Sequence, residues 1–126
     1  MAAQIRWYLG RRIVYALIQG DTLSLRELKD LNERLLPFIR QSGAAQVHVI
    51  IDASSVKRVN PNPLGAYQTL SYTSEPALGR SVLITAEALA SQIRTLWGSV
   101  KVKSFTSLEE GLFFLEDVDQ TLLAHA

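Results

Sequence analysis

Cysteine is missing from the 126 residues, which excludes a disulfide scaffold, a thiolate zinc site, an iron–sulfur cluster and a cysteine nucleophile. Histidine is nearly missing too: His48 and His125 are the only two, so a histidine-rich metal centre is excluded. No apolar run approaches the roughly 18 residues of a membrane span. The opening residues, Met1 to Trp7, lack the basic-then-apolar build of a signal peptide, and the expected setting is soluble and cytoplasmic. Neither sign of charge prevails: 13 Lys+Arg against 12 Asp+Glu leave +1, which is no nucleic-acid footprint. Repeats, low-complexity tracts and Pro/Gly/Ser linkers are absent as well. Residues 1–126 therefore read as a single domain, long enough to bury its own core without a metal or cofactor.

The charge that is present is unevenly spread. Residues 1–52 hold seven basic and five acidic groups, residues 53–103 six and two, and residues 104–126 none and five. The middle is mildly basic and the last segment acidic, which balances charge across one folded surface.

Apolar residues supply the element pattern. Ile5, Trp7 and Leu9 alternate with Arg6 and Tyr8, a half-buried strand. After a Gly10-Arg11 turn, Ile13 to Ile18 forms a second strand, antiparallel to the first. Ser24 and Glu27 form a capping box, with Leu23 and Leu28 placed for a hydrophobic staple. Leu28, Leu31, Leu35 and Phe38 mark the buried face of the helix that follows. Arg26/Asp30 and Asp30/Arg34 are spaced to pair outside, Pro37 kinks the last turn, and Gly43 caps it. Val47 to Ile51 is a nearly continuous apolar run flanked by helices, which predicts a central parallel strand. Residues 53–62 read as a polar loop. Asn62-Pro63 opens a helix with Leu64, Tyr67 and Leu70 on one face. Ser81 to Ile84 is a fourth strand. Thr85 is placed to cap a helix bearing Leu89, Ile93, Leu96 and Trp97. Val100, Val102 and Ser104 alternate with Lys101 and Lys103, an edge strand. Ser107 and Glu110 form a second capping box before a helix striped by Leu108, Leu112 and Leu115. The expected fold is α/β: one mixed, mostly parallel five-stranded sheet with four helices, in the order ββαβαβαβα.

That order resembles the STAS superfamily, and in particular the bacterial single-domain SpoIIAA-like proteins. The resemblance spans nearly the whole chain and is carried best by Val47-His-Val-Ile-Ile-Asp-Ala-Ser-Ser-Val and the later Leu64-Gly65. In the anti-sigma-factor antagonists of this superfamily the third strand ends in Asp-x-Ser, matched here by Asp52 and Ser54. An Asp-Ser-Ser/Thr-Gly motif then opens the next helix, and its Ser or Thr is phosphorylated by a partner kinase. This chain instead reads Asn60-Pro61-Asn62-Pro63, which offers no hydroxyl. The resemblance implies a non-catalytic regulatory or protein-interaction module without the usual phosphoacceptor. The SpoIIAA-like group is also similar to CRAL-TRIO lipid carriers, which raises the alternative of a small apolar or anionic ligand held between sheet and helices.

The candidate binding residues are Asp52, Ser54, Ser55, Lys57, Arg58, Asn60 and Asn62, at the carboxyl end of the central strand and the start of the next helix. Ligands of open α/β sheets bind outside such strand ends, and a helix start favours anions. The competing reading is that Asp52 and Ser54 only bond to loop amides. Catalysis is not expected. His48 shares a strand face with Asp52, but four residues span about 13 Å, too far to bond. Phe113 and Phe114 cannot both lie on one narrow stripe, nor can Leu96 and Trp97. Trp97, Phe113 and Phe114 are therefore candidate interface residues, toward another protein or a second copy.

Overall fold

The computed structural model describes residues 2–41, 43, 46–60, 71–89 and 102–125. The alternating N-terminal residues form β1 (Ala2–Leu9) and the β-branched run after the turn forms β2 (Ile13–Gln19). They pair antiparallel, with the turn closed by Arg12 N donating to Leu9 O at 2.9 Å. A short β3 (Thr22–Ser24) leads directly into α1 (Leu25–Gln41). β4 (Val47–Ala53) is buried at every position, as a strand covered on both faces must be. It is followed by β5 (Arg58–Asn60), β6 (Leu78–Thr85), β7 (Val102–Phe105) and α2 (Leu108–Val118). Short 3-10 turns cover Ser71–Ser74, Glu87–Leu89 and Gln120–His125.

The main sheet has the order β1-β2-β4-β6-β7, parallel from β2 onward, with β4 at its centre and β7 on an edge. The mixed five-stranded sheet agrees with expectation. Of the four expected helices, the described residues contain two. The helix expected from Asn62 lies outside them up to residue 70, and so does the stretch holding Ile93, Leu96, Trp97 and Val100.

Three expectations need correction. The loop expected at 53–62 contains β5, which pairs parallel with β3 in a separate two-stranded sheet. Three-residue strands have no period to read, and this pairing joins segments about 36 positions apart (Thr22 opposite Arg58). Thr85 does not cap a helix. It is the last residue of β6, and its fully buried hydroxyl has no hydrogen-bond partner among the described residues. The turn instead closes from Leu89 N to Ala86 O. Phe38 is only half buried: Ile39 takes the core position, while Phe38 meets Trp7 edge-on at 5.4 Å.

Both capping boxes form with one change. The amides of Glu27 and Glu110 donate to Ser24 Oγ and Ser107 Oγ at 3.3 and 3.2 Å. In return each glutamate Oε1 accepts from the serine hydroxyl, at 3.2 and 3.1 Å, rather than from the serine amide. Asp30 pairs with Arg34 at 3.7 Å on the exposed side of α1, and Gly43 follows that helix with φ at 73°. Leu28, Leu31, Leu35 and Ile39 of α1 cover one face of the sheet, against residues such as Val14, Val49 and Ile51. Leu115 and Leu122 cover the other, against Ile13, Tyr15, Ile50 and Val82. α2 sits close because Gly111 has no side chain: a Cβ there would come within 2.7 Å of Val82 Cγ1.

An unbonded buried hydroxyl costs its desolvation and returns nothing. Thr85→Val keeps the branched shape and removes that oxygen, so chemical denaturation is expected to show unchanged stability or a gain of about 1 kcal/mol.

Candidate functional site

The carboxyl end of β4 delivers Asp52 to the α2 side of the sheet, on the face that also carries His48 and Ile50. Asp52 is 8% exposed and points its hydrogen bonds inward. Its Oδ2 accepts from the Tyr15 hydroxyl. Its Oδ1 accepts from Ser54 N at 3.1 Å and Ser54 Oγ at 2.7 Å, which closes the chain into a turn. Tyr15 is pushed up to about 12 by burial and by the adjacent Asp52 carboxylate, so it stays a neutral donor. Tyr8 packs beside the Tyr15 ring at 6.0 Å, and the Arg6 guanidinium lies 5.4 Å from its centroid.

The next residues are tied to the strand beside them. Ser55 Oγ reaches the carbonyls of Ile18 and Gly20 at 2.9 and 3.0 Å. The amides of Lys57 and Arg58 both donate to Asp21 O, at 2.7 and 3.0 Å. Val56 is buried between them, so the backbone is held while the Lys57 and Arg58 side chains stand in solvent. Asn60 ends β5 opposite Ser24. Asn62 and Trp97 lie outside the described residues. The structure thus gathers Asp52, Ser54, Ser55, Lys57 and Arg58 at one end of the sheet. The inward hydrogen bonds of Asp52 to Tyr15, 37 positions away, had no signature in the local sequence.

The opposite end of β4 holds a second polar cluster that residue spacing did not indicate. His48 is 1% exposed and both its ring nitrogens are engaged. Nδ1 accepts from Arg80 N at 2.9 Å, so the proton sits on Nε2, 2.8 Å from Asp119 Oδ2. Asp119 also receives Arg12 Nη2 at 2.5 Å, Thr121 N at 3.1 Å and the Thr121 hydroxyl. Burial lowers the His48 pKa, an effect the Asp119 hydrogen bond opposes. Burial alone would raise Asp119, but the bonds from Thr121 and His48 and the charge of Arg12 outweigh it and hold the carboxyl at about 2.

Phe113 and Phe114 separate. Phe114 packs on Phe105 at 5.4 Å, while Phe113 is 62% exposed. A surface notch between Trp7, Arg11, Pro37, Phe38 and Gln41 encloses about 140 Å³, under half of the roughly 300 Å³ at which ligand pockets begin. Among the described residues, no three His, Asp or Glu side chains gather as metal ligands, and no helix is long and apolar enough to cross a membrane.

No family model and no curated protein matches the sequence. Solved structures do. The phosphorylated form of the Bacillus cell fate determinant SpoIIAA superposes with a TM-score of 0.54 at 13% identity, over 90% of this chain and 99% of that one. The unphosphorylated form of the anti-sigma factor antagonist SpoIIAA gives 0.51 at 15% identity, over 90% and 96%. With its central β4 and antiparallel β1, the chain shares the fold of SpoIIAA.

Proposed function

We propose that this chain is a non-catalytic regulatory domain that binds another protein through the turn after β4. One observation carries the reading. The buried Asp52, held by Tyr15 and Ser54, fixes a turn that leaves the Lys57 and Arg58 side chains exposed on an anchored backbone. Loops at this end of a rigid α/β sheet are where such folds place recognition. Asp52 orients the turn, and the two cations make the contact, so the partner presents acidic side chains there. Asn60 ends β5 just after this turn, and Asn62 follows it in the sequence. The fold shared with a protein described as an anti-sigma factor antagonist supports a regulatory role. Residues 60–63 carry no hydroxyl, so the contact is not gated by a phosphate at those positions. The engaged nitrogens of His48 support the absence of catalysis, since neither is free to take a proton from a substrate.

Arg58→Ala tests this reading. Partner retained by the tagged protein in its own cells is expected to fall sharply. The free energy of unfolding is expected to stay within about 0.5 kcal/mol, as for other exposed positions. Unchanged retention, or a large loss of stability, would show Arg58 to be outside the interface or structural.

A further inference from the structure

The outward face of α2 plays no part in the surface just proposed, and its composition is unusual. Phe113 is 62% exposed at the middle of the helix. Residues three and four positions away on either side share its face, and these are Glu109, Glu110, Glu116 and Asp117, all exposed. Glu110 also closes the helix cap through Ser107 and Thr106, yet its side chain still lies at the surface. No lysine or arginine occurs anywhere from residue 104 to the end. Folding does not require this phenylalanine, because Leu115, Leu112 and Phe114 already seat α2 on the sheet. The face is thus an aromatic anchor ringed by four carboxylates.

We infer that the outer face of α2 is a docking surface for a basic, partly apolar segment of another protein. Charge complementarity selects that occupant. A membrane surface is excluded because interfacial helices carry Lys and Arg on the polar face, whereas these carboxylates repel anionic lipid. Nucleic acid is excluded by the same sign of charge. Two copies meeting through this face would oppose carboxylate to carboxylate. Docking it onto Lys57 and Arg58 of another copy would be head-to-tail and would build a ring or an open filament, either of which sedimentation reads out. A separate protein with Lys or Arg around an apolar contact satisfies both features: Phe113 supplies the desolvated centre and the acids supply the rim.

NMR titration of the full chain tests this, with a short amphipathic Lys/Leu peptide as probe and a Glu/Leu peptide of the same pattern as control. The Lys/Leu peptide is expected to shift resonances of residues 109–117, to bind less tightly as salt rises, and to be unaffected by Arg58→Ala. Phe113→Ala, at an exposed position that leaves the melting temperature unchanged, is expected to weaken it at least about tenfold. The pair Glu116→Lys and Asp117→Lys is expected to abolish binding. The inference is overturned if the peptide binds wild type and Phe113→Ala alike, if the shifts map elsewhere, or if the Glu/Leu peptide binds equally. It is also overturned, in favour of a second copy, if sedimentation shows self-association that Phe113→Ala removes.

Discussion

Replacing Asp119 with alanine is expected to cost about 3 kcal/mol of folding stability and to lower the melting temperature by about 10 °C. Asp119 follows α2 and binds three elements at once: Arg12 before β2, His48 in β4 and its own Thr121. The side chains of Arg12 and Asp119 are 14% and 9% exposed, so removing the carboxylate strands a largely buried guanidinium and leaves His48 Nε2 without an acceptor. Losing one member of a buried pair is costlier than the pair itself is worth, because the remaining charge keeps its desolvation penalty. The variant is also expected to change the pH profile. In the wild type the folded chain resists protonating His48, whose pKa burial lowers, whereas the unfolded chain takes up a proton near the ordinary 6.5. Stability therefore falls as pH drops through that region. Asp119 adds a second loss. Its folded pKa of about 2 lies below the ordinary 3.8, so its contribution is complete above 3.8 and disappears as pH falls toward about 2. Urea titrations at several pH values are expected to show both losses in wild type, and the acid loss removed in Asp119→Ala. A variant as stable as wild type would show the cluster to be incidental.

Gly79→Ala is expected to destabilise by about 2–3 kcal/mol, more than most single methyl groups cost. A Cβ at Gly79 would come within 2.6 Å of His48 Nδ1, and closer still to Cε1. The ring cannot swing aside cheaply, since Arg80 N holds one nitrogen and Asp119 the other. Relief of the clash therefore breaks one or both bonds inside the sheet. A double-mutant cycle measured by urea denaturation isolates this cause. Gly79→Ala combined with His48→Ala is expected to cost clearly less than the sum of the two single changes, because the methyl then fills space the ring has left. Additive costs would place the strain elsewhere.

These two clusters mark where local sequence stops being informative. β2, β4 and α1 were legible because burial imposes a period: an apolar run for β4, and Leu28, Leu31 and Leu35 for α1. Ser24 and Ser107 were legible because a helix start needs an acceptor at a fixed offset. One exposed member of Phe113 and Phe114 followed from the width of a helical stripe. The bonds from Asp52 to Tyr15 and from His48 to Asp119 were not legible, since they join positions 37 and 71 residues apart. Their geometry is set by the parallel register of β2, β4 and β6 and by where α2 ends, which no short window records. β3 and β5 escaped for a related reason: each has only three residues, and the Lys57 and Arg58 amides that anchor them find Asp21 O only after the chain has returned. Lys57 and Arg58 themselves were legible as charges after a strand end, while the anchored backbone that presents them was not.

Native mass spectrometry of the protein purified from its own cells tests the central claim most directly, because one spectrum reports partner, ligand and stoichiometry. A complex with a different protein is expected, depleted when Arg58→Ala is purified in parallel. A chain that carries only a small molecule, or a complex equally abundant with Arg58→Ala, would contradict it.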